Sequence, residues 1–260
     1  MRIRRRVGAA FVAAIGLLLL PGVLAVAADD AAVRDAIESR LLKEGLNETA
    51  QVSVDVRDGA VTLTGVAPNL PVKRSAEKLA RKEASAVHNQ IRVQPPEPVA
   101  DKAIIEGVRK AVLTYPFYTV FDYVEFSVND GAVVLQGSML HPWRKTAIES
   151  RVAQVAGVRA IQNDLAVQSF TSFDSNLRTS LARRIYGDAR FAQYSHRANP
   201  PIRILVDKGN VVLAGWVNSN VDKAVLGTIA RSTLSFNVEN RLQVDTDVPQ
   251  EDRKSESETS

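Results

Sequence analysis

Apolar and polar residues alternate at period two in three stretches of the chain, each interrupted by a glycine-containing turn. The first runs Val52, Val54, Val56, Asp58-Gly59, Val61, Leu63, Gly65. The second runs Val124, Phe126, Val128, Asp130-Gly131, Val133, Leu135, Gly137, and the third Ile202, Ile204, Val206, Lys208-Gly209, Val211, Leu213, Gly215. Alternation on both sides of such a turn predicts a β-hairpin with one buried face. Asp-Gly suits a two-residue turn whose central positions both take positive φ. Gly65, Gly137 and Gly215 fall on the inward face as the strand leaves the hairpin, where a missing side chain is expected to let a helix or backbone pass close by.

Helical periodicity flanks each hairpin. It is carried first by Val33, Ala36, Ile37 and Leu41, then by Ile104, Val108, Ala111 and Val112, then by Leu177, Leu181 and Ile185. A second helix is predicted over 70–84, 142–155 and 220–233. A short strand signal follows each: Asn89-x-Ile91-x-Val93, Asn163-x-Leu165-x-Val167 and Asn240-x-Leu242-x-Val244. The turn glycines recur 72 and 78 residues apart, the mark of internal repeats. The expected fold is α+β: three tandem units, each helix-strand-strand-helix-strand, with a three-stranded sheet and two helices on one face.

The order D-G-x-V-x-L-x-G, helix, N-x-L-x-V resembles the BON domain, found in osmotically inducible periplasmic proteins and other bacterial envelope proteins. The second repeat also keeps Gly157-Val158 before its last strand, whereas Glu83-Ala84 and Leu234-Ser235 depart from the family there. The resemblance implies that Gly59, Gly65, Asn89, Gly131, Gly137, Gly157, Asn163, Gly209, Gly215 and Asn240 mark the fold. It further implies attachment to phospholipid or other envelope surfaces without catalysis, in support of envelope integrity or stress tolerance.

The units are placed at 30–95, 101–168 and 172–245. Pro95-Pro96-Glu97-Pro98 makes residues 96–100 a stiff linker, whereas the shortness of Ser169–Ser172 implies that the second and third units pack together. Units of this size are marginal alone, so contact between neighbours is expected. The polar tail 246–260 is expected to be disordered.

Charge changes meaning once the N-terminus is considered. Arg2, Arg4, Arg5 and Arg6 precede an apolar stretch from Val7 to Leu20, then the breaker Pro21-Gly22 and the small-residue site Ala25-Val26-Ala27. This is the pattern of a secretory signal peptide over residues 1–27, with an uncleaved anchor as the alternative. Its removal takes four of the 33 basic residues and no acid, leaving 29 basic against 29 acidic side chains. The basic character disappears with the signal, and nucleic-acid binding loses its electrostatic footprint. The expected location is the periplasm.

Catalytic chemistry finds little to work with. There is no cysteine, and His88, His141 and His196 occupy non-equivalent positions without a metal-binding spacing. No phosphate loop, G-x-S-x-G or calcium loop is present, and Asp58 and Asp130 are explained by turn chemistry. No enzyme activity, cofactor or metal is expected.

Two features are candidates for binding. Tyr115, Phe117, Tyr118, Phe121, Tyr123 and Phe126 crowd the second unit; Tyr186, Phe191 and Tyr194 form a thinner version in the third. They are read either as packing between units or as a rim for a lipid interface. Lys73, Lys145 and Lys223 recur near the start of each second helix, joined by Arg74, Arg144 and Trp143. The candidate binding set is Trp143, Arg144, Lys145, Tyr115, Phe117, Tyr118, Lys223 and Trp216, with Trp143-Arg144-Lys145 expected as an exposed indole-plus-cation patch for an anionic phospholipid surface. The third unit, with ten basic and six acidic side chains, is best disposed toward such a surface. The alternative partner is an envelope protein held by a free sheet edge or by the aromatic rim.

Overall fold

The computed structural model describes residues 21–244, with side chains described from Asp29 onward. The expected signal segment lies outside these residues except for its last seven, and the 246–260 tail lies outside them entirely. Pro21, read from the sequence as a breaker, is helical, and the helix continues unbroken past Ala27. No helix among the described residues is long and apolar enough to cross a membrane.

The chain folds as three α+β units. The first contains α1 (Pro21–Lys43), α2 (Leu46–Thr49), β1 (Gln51–Arg57), β2 (Ala60–Ala67), α3 (Leu70–Ala80), β3 (Ala86–Asn89) and β4 (Arg92–Val93). The second contains α4 (Asp101–Leu113), β5 (Tyr123–Asn129), β6 (Ala132–Met139), α5 (Pro142–Val152), β7 (Ala160–Asn163) and β8 (Ala166–Val167). The third contains α6 (Ser172–Tyr186), a 3₁₀ turn (Ala189–Phe191), α7 (Ala192–Ser195), β9 (Ile202–Asp207), β10 (Asn210–Val217), α8 (Asn220–Arg231), β11 (Asn237–Asn240) and β12 (Gln243–Val244).

In each unit the second hairpin strand is central, antiparallel to the first and parallel to the third. The buried face follows the alternation: Val61, Leu63 and Ala67 are buried on β2, while Thr62 and Thr64 face away. Capping explains where the helices begin. Asn69, Thr171 and Ser219 each accept a hydrogen bond from the backbone N–H three residues on, at 3.0–3.1 Å.

The expected three-stranded sheet needs one correction, since the third strand is broken into two segments in every unit. The asparagine is the cause. Asn89 Nδ2 donates to the Lys73 carbonyl of α3 at 3.1 Å, and Asn89 Oδ1 accepts from Ile91 N at 3.2 Å. Asn163 and Asn240 repeat both contacts with Lys145 and Leu165, and with Lys223 and Leu242. One amide therefore kinks the strand and ties it to the second helix.

At the exit glycines the close neighbour, expected to be a helix or backbone, is backbone. A Cβ at Gly65, Gly137 or Gly215 would meet the first strand's own backbone, at Gln51 O, Tyr123 O and Pro201 O, rather than a helix. Their φ values of +122°, +116° and +92° are closed to ordinary side chains as well. The turns themselves follow expectation, with positive φ at both Asp58 and Gly59, and likewise at 130–131 and 208–209.

One recurring contact was not read from the sequence. An aspartate of each first helix, inside α1 and in the first turn of α4 and of α6, accepts both backbone N–H groups of the hairpin turn. Asp30 receives Asp58 and Gly59, Asp101 receives Asp130 and Gly131, and Asp174 receives Lys208 and Gly209, all at 2.8–3.1 Å.

The units pack against one another. Leu70 and Val93 of the first unit join the core of the second, and Arg74 Nη2 meets Glu149 Oε1 at 2.5 Å. Between the second and third units, Ile204 N donates to Val120 O at 2.8 Å and Val206 N to Gln168 Oε1 at 3.1 Å. Buried Arg178 donates to the Ser169 and Val206 carbonyls, and Phe121 packs onto the third core. The edge of the third sheet is thus covered by the second unit.

Candidate functional site

The aromatic-rich connection from Thr114 to Asp122 is shaped by one buried carboxylate. Asp122, fully closed to solvent, accepts from Thr119 N at 2.9 Å, Thr119 Oγ1 at 2.8 Å and Leu140 N at 2.8 Å. Arg144 Nη1 completes the set at 2.5 Å. Arg144 retains only 8% exposure, and its Nε has no hydrogen-bond partner. The expected indole-plus-cation patch is therefore corrected: the cation turns inward to neutralise Asp122, because a buried carboxylate without a counter-charge is costly. The third unit locks the equivalent connection differently. Tyr194 Oη donates to Asp222 Oδ2 at 2.6 Å, and burial together with that carboxylate pushes the phenol up to about 12.

With Arg144 withdrawn, what faces solvent is aromatic. Tyr115 meets Phe117 edge-on at 5.8 Å between ring centroids, and Phe117 meets Trp143 edge-on at 5.3 Å. Trp143 stacks on His141 at 5.7 Å, and His141 contacts Phe170 at 5.0 Å. These are ordinary attractive spacings for ring pairs. Phe117, Trp143 and Phe170 are 55%, 49% and 64% exposed. Tyr115 is buried and anchors the row from beneath, so it is corrected from rim to support.

Other candidates go elsewhere. Tyr118 lies under Arg203 of the third unit, with the guanidinium carbon 4.5 Å from the ring centroid, and its hydroxyl accepts from Val124 N. Trp216 carries Arg197 over its ring at 4.5 Å on the outer face of the third sheet. Lys145 and Lys223 are half-exposed, and the contacts that recur at these positions are made by their backbone carbonyls. Two members of the row were missed: His141, read as an ordinary surface histidine, and Phe170, read as linker. Their signal was a ring two residues before Trp143 and another just past the last strand of the unit.

Among the described residues no group of three or more His, Asp or Glu side chains is disposed to hold a metal ion.

The BON domain family model matches residues 29–95, 101–169 and 174–246. No curated relative matches the chain. Among solved structures, it is similar to CdsD, a structural protein of the type III secretion system of Chlamydia trachomatis, at 14% identity over 80% of this chain and 90% of that one, with a TM-score of 0.23. It is also similar to the periplasmic domain of the type III secretion inner membrane protein PrgH from S. typhimurium, at 14% identity over 78% of this chain and 100% of that one, with a TM-score of 0.20.

Proposed function

Since the chain belongs to the BON domain family, we propose that it is an exported, non-catalytic module of the bacterial envelope that attaches to phospholipid surfaces. The observation that carries this reading is the exposed row Phe117, Trp143, His141 and Phe170. Indole and phenyl rings settle at the boundary between headgroups and acyl chains, with their apolar faces shielded from water. Because Arg144 is committed to Asp122, the row attaches by partition rather than by charge. The cations of the third unit add attraction to anionic lipid, screened within a Debye length.

Co-sedimentation with phosphatidylcholine vesicles, with and without phosphatidylglycerol, tests the reading. Trp143→Ala is expected to weaken binding at every salt concentration, and Phe117→Ala to do the same. If Trp143→Ala instead lowers the melting temperature and leaves vesicle binding unchanged, the row is packing and the phospholipid reading fails.

A further inference from the structure

The first strand of each unit lies at a sheet edge, and the three edges are treated differently. In the third unit the outward N–H groups of Ile204 and Val206 are bonded by the second unit, and Ile202, Ile204 and Val206 are fully closed to solvent. In β5 the outward N–H of Val124 is taken by the Tyr118 hydroxyl at 3.2 Å, and among the described residues only Phe126 and Val128 keep outward groups open there, against three residues in β1. In β1 the equivalent residues are Val52, Val54 and Val56. Arg57 and Ala60 flank the two-residue turn, so bonding alternates down the ladder and these three residues point their N–H and C=O away from β2. Among the described residues nothing bonds them, and Val52 and Val56 remain half-buried.

We propose that β1 pairs antiparallel with β1 of a second copy of this chain, centred on Val54. Val54 is the midpoint of the seven-residue strand Gln51–Arg57, so this register engages all three outward-bonding residues. It sets each Asp55 opposite the second copy's Ser53, and each Arg57 opposite its Gln51, with no like charges facing. Sliding two residues toward the turn would set Asp55 against Asp55, which opposes that register. The junction at β9 shows that this edge of the fold accepts backbone and amide carbonyls from a neighbour. The pairing is independent of the phospholipid reading.

The chain has no cysteine, which makes the register directly testable. Ser53 and Asp55 are exposed, so neither replacement disturbs a core. Full chains carrying Ser53→Cys and Asp55→Cys are co-expressed, exported and examined on a non-reducing gel. A covalent dimer is expected when both variants are present, and much less from either alone. Sedimentation equilibrium of the full chain in a neutral detergent is expected to show a dimer. Ser53→Lys should tighten it and Ser53→Asp weaken it, each by about fivefold from two symmetric cross-strand pairs. A monomer throughout, an association indifferent to both charges, or equal cross-linking by the single variants would overturn the proposal.

Discussion

Arg144 donates to Asp122 across 2.5 Å in a site closed to solvent, so a cation expected at the surface is instead half of an interior ion pair. Removing one partner of such a pair leaves the other charged and unpaired. Arg144→Ala is therefore expected to lower stability by about 3–5 kcal/mol. Arg144→Ala with Asp122→Asn should recover part of that loss, because no uncompensated charge remains. Urea denaturation of the four variants in this cycle checks the order; a single variant as stable as the parent would show that the pair is solvated.

The turn clasp gives a prediction in pH. Burial pushes the Asp174 carboxyl up, but bonds from the Ser169 hydroxyl and the Gly209 and Lys208 amides outweigh it, and the net direction is down. A carboxylate with a lowered folded value contributes stability that is complete above its unfolded pKa and is lost as pH falls through the folded one. The third unit should accordingly lose stability below about pH 4, where free aspartate begins to protonate. Asp174→Asn should flatten that acid limb in thermal melts taken from pH 6 to pH 2. Asp174→Ala, which orphans the Gly209 amide, should cost about 1–3 kcal/mol at neutral pH.

Two glycines of the first hairpin separate backbone strain from collision. At Gly59 a Cβ would meet nothing within 4 Å, whereas at Gly65 it would fall 1.9 Å from Gln51 O. Gly59→Ala is expected to cost only the left-handed penalty of about 1–2 kcal/mol. Gly65→Ala must also move a strand, and should abolish the folded first unit or cost several times as much. Equal losses by calorimetry would show that the collision is relieved for free.

Glu149 couples two units, receiving Arg74 at 2.5 Å and Asn163 Nδ2 at 2.8 Å. The Arg74 and Glu149 side chains are 37% and 29% exposed, so their coupling should be modest, about 0.2–1 kcal/mol in a double-mutant cycle. The Asn163 contact lies within the second unit. Glu149→Gln, which keeps a hydrogen-bond acceptor, should preserve that contact while losing the Arg74 coupling.

The fold was legible because its information is local and repeated. Period-two alternation, the turn glycines and the asparagine of the last strand recur in each unit, and each acts within its own unit. The site was legible only as a composition. Trp143 and Phe117 were singled out as rings, but the fate of Arg144 depends on Asp122, 22 residues upstream in a connection with no counterpart in the first unit. The turn-clasping aspartates were missed for a related reason: Asp30 and Gly59 are separated by 29 residues, and an acid in a first helical turn, as at Asp101 and Asp174, already has a sufficient local explanation in the helix dipole. The exit glycines were assigned to the right face with the neighbour left open between helix and backbone, since alternation shows the side a residue faces and not what lies across from it.

The bond from Ile204 to Val120 also imposes an order of events. The third unit's edge strand is completed by groups that leave the ribosome before it does, and domains form N-terminal first as they emerge. The second unit can therefore stand as a preformed mould when residues 202–207 arrive. A chain with these two units exchanged in sequence would present the strand before its cover existed, and would spend that interval with an apolar edge open to every other nascent chain.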